Sequence, residues 1–89
     1  MQIEFSEIAI KDLLGFDKPE RILITKKIEY LAQNFEDLKK SKKVTELKGK
    51  HKGIYRFVVA RKIRVLFQIK NDQITILIVR VGRRKNIYE

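Results

Sequence analysis

The stretch that decides the fold is residues 54–81, IYRFVVARKIRVLFQIKNDQITILIVRV. It contains three segments rich in β-branched and aromatic residues, which is the composition typical of strands. These segments are 54–60, 62–69 and 74–81. Asn71-Asp72 is a turn signal between the last two, and the joint at 60–62 is tight. Because strands with such short links pair antiparallel, the pattern predicts a three-stranded β-meander.

Alternation along these strands assigns their side chains to two faces, because successive residues point to opposite sides. One face is apolar and aromatic and needs to be covered by helices. Its predicted members are Tyr55, Phe57, Val59, Ile63, Val65, Phe67, Ile69, Leu77, Val79 and Val81. The other face, called the outer face below, is predicted to carry Arg56, Val58, Arg64, Leu66, Gln68, Ile76, Ile78 and Arg80. A surface that is both cationic and apolar suggests one anionic partner and one protein partner.

The first part of the chain supplies the helices that cover the apolar face. Residues 2–5 suit a first strand, and Ser6 is placed to cap a short helix over 7–14. Gly15 is expected to end that helix in the left-handed conformation that suits glycine. Residues 17–20 read DKPE, which has the form of a capping box, so a second and longer helix is predicted to begin here.

The second helix carries a stripe of apolar residues at helical spacing. Its members are Ile24, Ile28, Leu31, Phe35 and Leu38. The polar run at 37–43 predicts that this helix frays into a basic connector. A short strand at 44–47 and a loop at 48–53 then lead into the meander. The order predicts a single α+β domain over residues 1–89, with two helices packed on an antiparallel sheet.

Composition limits the location and the chemistry of the protein. The sequence has 89 residues, no cysteine and a formal net charge of +10. No run is long and apolar enough to cross a bilayer, and the N-terminus has no signal pattern, so the protein is expected to be cytoplasmic. The absence of cysteine excludes disulfides and thiolate metal sites.

The positive charge is concentrated in the second part of the chain. Residues 1–38 hold five basic and eight acidic residues, a balance of −3, which leaves +13 for the remainder. Between Lys39 and Arg64, eleven Lys or Arg accompany the single acid Glu46. This asymmetry predicts a polyanionic partner, although a solvated surface that only keeps the protein soluble would have the same composition.

The residues that most enzymes use are missing. The sequence has one histidine and contains no HExxH, no GxSxG and no phosphate-binding glycine loop. The sequence therefore lacks the residues that metal-dependent hydrolysis, nucleophilic triads and nucleotide-dependent chemistry require. Lysine, arginine and tyrosine suffice for the cleavage of RNA by attack of its own 2′-hydroxyl. That reaction requires no metal and no cofactor, because guanidinium groups can stabilise the added negative charge of the transition state.

Four segments resemble the RelE/ParE superfamily of toxins from prokaryotic toxin–antitoxin pairs. They are LKG at 47–49, IYRF at 54–57, IRVLF at 63–67 and VGRRKNIY at 81–88. One strand, two helices and a strand meander match that fold along essentially the whole chain. The RelE branch implies a ribosome-dependent mRNA endoribonuclease, or mRNA interferase, with the ribosome and mRNA as partners. The resemblance also implies a cognate antitoxin, for which the outward Ile76 and Ile78 would offer a binding surface.

The resemblance assigns roles to individual residues of this sequence. The positions that match family residues acting in RNA cleavage are Arg56, Arg64, Arg84 and Tyr88. A second family lysine, two positions after Arg56, falls on Val58, so the general base is not identified. Further RNA contacts are expected from Lys48, Lys50, Lys52, Arg61, Arg80, Arg83 and Lys85. One of the three loop lysines could supply the missing base, ahead of His51.

Two other functions would use the same sequence features. A ParE-like inhibitor of DNA gyrase would share the fold and bind a protein without nuclease chemistry. A plain RNA-binding module would make phosphate contacts without turnover. The ending at 81–88 favours RNA cleavage, because a gyrase binder has no evident need for a tyrosine beside clustered arginines.

Overall fold

The computed structural model describes residues 1–70, 72, 74–83 and 85. Its elements, in chain order, are β1 (Gln2–Phe5), α1 (Glu7–Leu14), α2 (Lys18–Gln33), α3 (Phe35–Lys40), β2 (Val44–Glu46), β3 (Tyr55–Ala60), β4 (Ile63–Lys70) and β5 (Thr75–Arg83). A turn of 3₁₀ helix, Gly49–His51, lies between β2 and β3. The strands form one sheet in the order β1-β5-β4-β3-β2. The predicted α+β fold is confirmed.

The first strand returns to the sheet beside the last one. β1 pairs parallel with β5, from Gln2 opposite Thr75 to Phe5 opposite Ile78, whereas the meander strands pair antiparallel. The chain between the two edge strands, β1 and β2, consists of helices, which cross the sheet and cover one face. None of them, among the residues that the structure describes, is long and apolar enough to span a membrane.

The covered face of the sheet forms the core together with one side of the helices. Phe67 in β4 is fully buried, its ring stacked on Tyr55 at 5.5 Å and edge-on to Phe35 at 6.1 Å. The helical stripe predicted from spacing is buried throughout: Ile24, Ile28, Leu31, Phe35 and Leu38. The sheet therefore has one face in the core and leaves the other for contacts.

Both helix starts agree with the sequence, whereas one helix end differs in its geometry. Ser6 accepts a backbone N–H bond from the first turn of α1 at 3.0 Å, and Asp17 does the same for α2 at 2.9 Å. Gly15 follows α1 as predicted, but its φ of −80° is right-handed. The left-handed conformation expected there was wrong, because the chain leaves the helix through an ordinary tight turn.

The apolar stripe is continuous, but the helix that carries it is not. α2 ends at Gln33 and α3 begins at Phe35, because Asn34 has a φ of −129° and a ψ of 25°, outside the helical region. The Asn34 side chain donates to the carbonyl of Tyr30 at 2.9 Å, a local bond that competes with helix continuation. The expectation of one helix up to about residue 37 was therefore wrong.

The predicted faces of the last strand were wrong in its first half. Ile76 and Ile78, expected outward, are fully buried in the core, and Leu77 and Val79 lie outward instead. β5 is apolar on both sides, as strands with neighbours on both edges often are, so polarity could not choose between its faces. The two buried isoleucines are therefore not available as a protein-binding surface.

A β-bulge changes the alternation in the second half of β5. Phe67 pairs with Ile78, but the preceding residue of β4, Leu66, pairs with Arg80. The extra residue in β5 reverses the alternation after this point. Arg80 consequently lies outward and Val81 is buried, as predicted, although the first half of the strand has the opposite phase.

Candidate nucleic-acid interface

The helices leave the outer face of the sheet uncovered, and two rows of this face carry predicted arginines. The first row crosses β2, β3, β4 and β5 through Thr45, Arg56, Leu66 and Arg80. The second row crosses β3, β4 and β5 through Val58, Arg64 and Gly82. Arg56 and Arg64 are thus diagonal neighbours on adjacent strands, a separation of about 7–8 Å for such positions. Their predicted location on one face is confirmed.

An apolar side chain separates the cations of the first row. Leu66 is only 5% exposed although it lies on the outer face and outside the main core. Its cross-strand neighbours are Arg56 and Arg80, and the aliphatic stems of arginines can cover an apolar side chain in this way. The outer face therefore presents its charge around an apolar centre.

Arg56 leans towards the edge strand β2. Its side chain is half-buried, and Nη2 donates to the hydroxyl of Thr45 at 3.4 Å. Val58 lies two residues further along β3, is 43% exposed and is paired with Arg64. The position where the family lysine is expected therefore faces outward beside one of the two central arginines.

Arg64 is held by the turn between β3 and β4. Its Nη1 donates to the carbonyls of Arg61 at 3.0 Å, Ala60 at 3.3 Å and Ile63 at 3.5 Å. All three bonds come from the same nitrogen, so Nε and Nη2 have no hydrogen-bond partner within the described ranges. A half-buried guanidinium fixed at one corner can present its other donors to an anion.

Arg80 is paired with an acid that the sequence analysis did not single out. Its Nε lies 2.9 Å from Oδ2 of Asp12, and its Nη2 lies 3.3 Å from Oδ1. The hydrogen bond to Asp12, together with the attraction of that carboxylate, raises the pKa of Arg80, although burial acts in the opposite direction. Asp12 sits in the last turn of α1, where a helix dipole disfavours an acid. An acid at this position of a helix was the sequence feature that could have indicated a specific cationic partner for Asp12.

Arg83, a predicted RNA contact, is not brought to the outer face. After the bulge, Val81 faces the core, Gly82 faces outward and Arg83 again faces the helices. Its Nη2 bonds Glu20 of α2 at 3.1 Å, and its guanidinium carbon lies 5.1 Å from the centre of the Phe16 ring. The structure therefore places Arg83 against the helical layer.

The other predicted RNA contacts lie at the two ends of the sheet. The loop between β2 and β3 carries three exposed lysines, Lys48, Lys50 and Lys52. The opposite end carries the exposed Arg61 in the β3–β4 turn and the exposed Lys85 after β5. At about 3.3 Å per residue, the two ends of the six-residue β3 are roughly 17 Å apart. The cations thus line a path long enough for several nucleotides.

Two glycines shape the lysine loop. Gly49 has a φ of 72° and Gly53 a φ of 89°, both in the left-handed region that favours glycine. Glu46, the single acid of the basic stretch, accepts a hydrogen bond from the Gly53 N–H at 3.2 Å. The carboxylate thus ties the end of the loop to β2, and the half-buried His51 lies within the 3₁₀ turn.

Two predicted catalytic residues, Arg84 and Tyr88, lie outside the described residues.

Comparisons with known proteins agree with this fold. A sequence-family model described as "ParE toxin of type II toxin-antitoxin system, parDE" matches residues 3–88. No curated protein matches the sequence.

Three solved structures illustrate the similarity. A chain of the toxin–antitoxin complex RelBE2 from Mycobacterium tuberculosis has 21% identity and a TM-score of 0.68, and the match covers 93% of this chain and 96% of that one. The isolated RelE toxin from E. coli has 17% identity and a TM-score of 0.69, covering 92% and 82%. The archaeal RelE–RelB complex from Pyrococcus horikoshii has 19% identity and a TM-score of 0.68, covering 96% of each chain. At these identities the similarity concerns the fold alone.

Proposed function

We propose that this chain, which belongs to the ParE toxin family of type II toxin–antitoxin systems, is a toxin that cleaves mRNA on the ribosome. Family membership makes it the toxin component of such a pair, and the proposal concerns its target. The ribosome would hold the codon in the decoding site, and this chain would bring its outer face to the RNA backbone. The reaction would be the attack of the ribose 2′-hydroxyl on the adjacent phosphate.

The observation that carries the proposal is the placement of Arg56 and Arg64 at diagonal positions of the uncovered outer face. Diagonal positions about 7–8 Å apart match the reach of two side chains towards one phosphodiester and its neighbour. Leu66, the residue paired with Arg56, is buried beneath this face and gives the stems of the arginines around it an apolar surface to pack on. A surface that only repelled aggregation would not require arginines fixed by hydrogen bonds.

The chemistry follows from the charges that change during the reaction. The 2′-oxygen forms a bond to phosphorus while the bond to the 5′-oxygen breaks, which gives a 2′,3′-cyclic phosphate and a 5′-hydroxyl. The pentacovalent transition state carries added negative charge on its equatorial oxygens. Fixed guanidinium donors such as those of Arg64 stabilise that charge without reorganisation. A base must accept the 2′-hydroxyl proton, and an acid must protonate the leaving oxygen.

Val58 marks the position where the proton acceptor is missing, so we expect Val58→Lys to raise the cleavage rate by about tenfold. The side chain is 43% exposed, so a lysine fits without repacking the core. Its pairing with Arg64 would lower the pKa of the new lysine, which makes it a better base near neutral pH. Single-turnover cleavage on programmed ribosomes measures the effect.

Val58→Arg is the matched control for this substitution. It adds the same charge, but an arginine does not lose its proton in this pH range. A gain for both variants would mean that charge alone limits the rate, whereas no gain for Val58→Lys would contradict the assignment of this position.

The family description supports a second candidate function, because the matching family model is named for the ParE toxin. A ParE-like toxin that inhibits DNA gyrase would use the same fold to bind a protein. A non-catalytic RNA-binding module would use the same cations. The bonded, partly buried arginines on an otherwise open face favour an RNA target over a protein target.

A cognate antitoxin is also part of the proposal. The RelBE2 and RelE–RelB structures are of toxin–antitoxin complexes, and we propose an equivalent partner for this chain. Its surface is not the buried pair Ile76 and Ile78. Most exposed large apolar side chains in the described ranges lie on α1 and α2: Ile8, Ile10, Leu14, Ile22, Leu23 and Tyr30. Lys11, Lys26 and Lys27 on the same helices suit an acidic, amphipathic segment.

The test is a direct comparison of the two targets. Purified protein is incubated with ribosomes programmed with a labelled mRNA, and separately with gyrase and relaxed plasmid. Cleavage of the mRNA with undisturbed supercoiling is the expected result. Intact mRNA together with inhibited supercoiling would replace this proposal by gyrase inhibition, and RNA binding without either effect would favour the non-catalytic module.

A further inference from the structure

We infer that Asp12 is a positioning residue, which holds Arg80 so that its guanidinium binds an RNA phosphate at the edge of the outer face. The inference rests on the proposed function and deepens it, because it adds a third cation to the outer face beside Arg56 and Arg64. The pair joins α1 to β5 across a separation of 68 residues in the sequence. Its role therefore depends on the fold and not on local spacing.

The contact leaves part of the guanidinium available. Asp12 engages Nε and Nη2 of Arg80 at 2.9 and 3.3 Å, which is the side edge of the group. The end edge, formed by Nη1 and Nη2, keeps an Nη1 that is not bonded to any residue in the described part of the chain. Arg80 is 31% exposed, so this end can meet a ligand. A guanidinium has two edges that fit bidentate oxygens, and a phosphate can take the second.

The carboxylate itself is rigidly placed. Oδ2 of Asp12 also accepts the backbone N–H of Val81 at 2.9 Å, and the Asp12 side chain is only 16% exposed. Two residues before Val81 on β5, the carbonyl of Val79 accepts a hydrogen bond from the Ser6 hydroxyl at 2.8 Å. β1 ends at Phe5, so these two side chains satisfy β5 where no strand pairs with its edge. Asp12 therefore fixes the Arg80 guanidinium relative to the backbone of β5, because the same carboxylate bonds both.

Simple electrostatics and positioning predict opposite results when the acid is removed. A carboxylate beside a phosphate site repels RNA, so its loss should tighten binding if charge is all that matters. A positioning residue, in contrast, restricts the guanidinium to the geometry that the reaction needs, and its loss lowers the cleavage rate whatever happens to binding. The sign of the rate change therefore separates the two roles.

The decisive variant is Asp12→Asn, measured by single-turnover cleavage on programmed ribosomes and by binding of a short single-stranded RNA. The asparagine carbonyl can still accept the Val81 N–H, while its amide faces Arg80 without attraction. We expect the cleavage rate to fall about tenfold and the RNA affinity to stay unchanged or to rise. In an Arg80→Gln background, the same substitution should change the rate by less than twofold, because the pair acts as one unit.

Ser6→Ala is the matched control for a merely structural role. It removes a hydrogen bond to the same stretch of β5 and the cap of α1, but leaves Asp12 and Arg80 in place. We expect its thermal midpoint to fall by several degrees, with a cleavage rate within about twofold of wild type. Equal rate losses in Ser6→Ala and Asp12→Asn would overturn the inference in favour of stability.

The remaining outcomes separate the inference from the function on which it rests. Cleavage by wild type that is equalled or exceeded by Asp12→Asn would overturn the inference and leave the proposed function standing. Failure of the wild-type protein to cleave ribosome-bound mRNA would overturn the proposed function, and the inference with it.

Discussion

We expect Arg64→Gln to reduce the cleavage of ribosome-bound mRNA about a hundredfold, the usual effect of removing one fixed donor from a developing anion. The side chain is half-buried and fixed by carbonyls of Arg61, Ala60 and Ile63, so its donors are oriented before RNA binds. Glutamine retains polarity and approximate length but loses the charge. Single-turnover rates on programmed ribosomes measure the loss.

Two companion variants determine what the loss means. Arg64→Lys keeps the charge but loses the forked donor geometry, so most of the activity should remain lost. Lys62→Gln, an exposed cation of the same turn, removes an equal charge and should lower the rate by no more than a few fold. Similar losses for Arg64→Gln and Lys62→Gln would show that net charge acts, and not the placed guanidinium.

Phe67→Ala is expected to have the largest effect on stability, a loss of about 3–5 kcal/mol in the free energy of unfolding. Phe67 is fully buried and touches the rings of Tyr55 and Phe35, which link β3, β4 and α3. A small domain has only about 5–15 kcal/mol of stability in total, so the variant should be partly unfolded under mild conditions. Urea unfolding followed by circular dichroism gives the value.

Val58→Ala is the control for this prediction. It shortens a side chain on the neighbouring strand, but that side chain is 43% exposed and lies on the outer face. The expected loss is about 1 kcal/mol or less. A Phe67→Ala loss as small as that of Val58→Ala would contradict the location of the core.

Periodicity predicted the elements whose burial is one-sided. The meander, the inward face of β4 and the helical stripe from Ile24 to Leu38 all follow from alternation or helical spacing. Periodicity failed at Asn34, where a side-chain hydrogen bond ends the helix within a continuous stripe. It failed again in β5, which is apolar on both sides and contains a bulge that its residue types do not indicate.

The candidate site could be predicted only where it depends on a single strand. Arg56 and Arg64 reached the outer face because alternation within β3 and β4 fixes their direction. The partners of Arg80 and Arg83 are 68 and 63 residues away in the sequence, so spacing rules could not identify Asp12 or Glu20. These pairings decide which predicted cations remain on the outer face and which pack against the helices.

The fold itself does not decide the target, because one scaffold can carry a nuclease site or a protein-binding surface. What distinguishes the two is the use of the outer face. An RNA-cleaving toxin needs its guanidinium groups at fixed positions on that face, whereas a gyrase inhibitor needs only complementarity to a protein. Chemistry at the scissile phosphate therefore distinguishes an RNA-cleaving toxin from a gyrase inhibitor.

The most direct measurement uses two mRNAs that differ at one atom. Ribosomes are programmed with a labelled mRNA, or with the same mRNA carrying a single 2′-deoxynucleotide on the 5′ side of the bond that is cut. We expect a cut in the decoding site that leaves a 2′,3′-cyclic phosphate, and no cut at that bond in the deoxy-substituted mRNA. Equal cleavage of both mRNAs, or cleavage of neither, would contradict cleavage by attack of the 2′-hydroxyl.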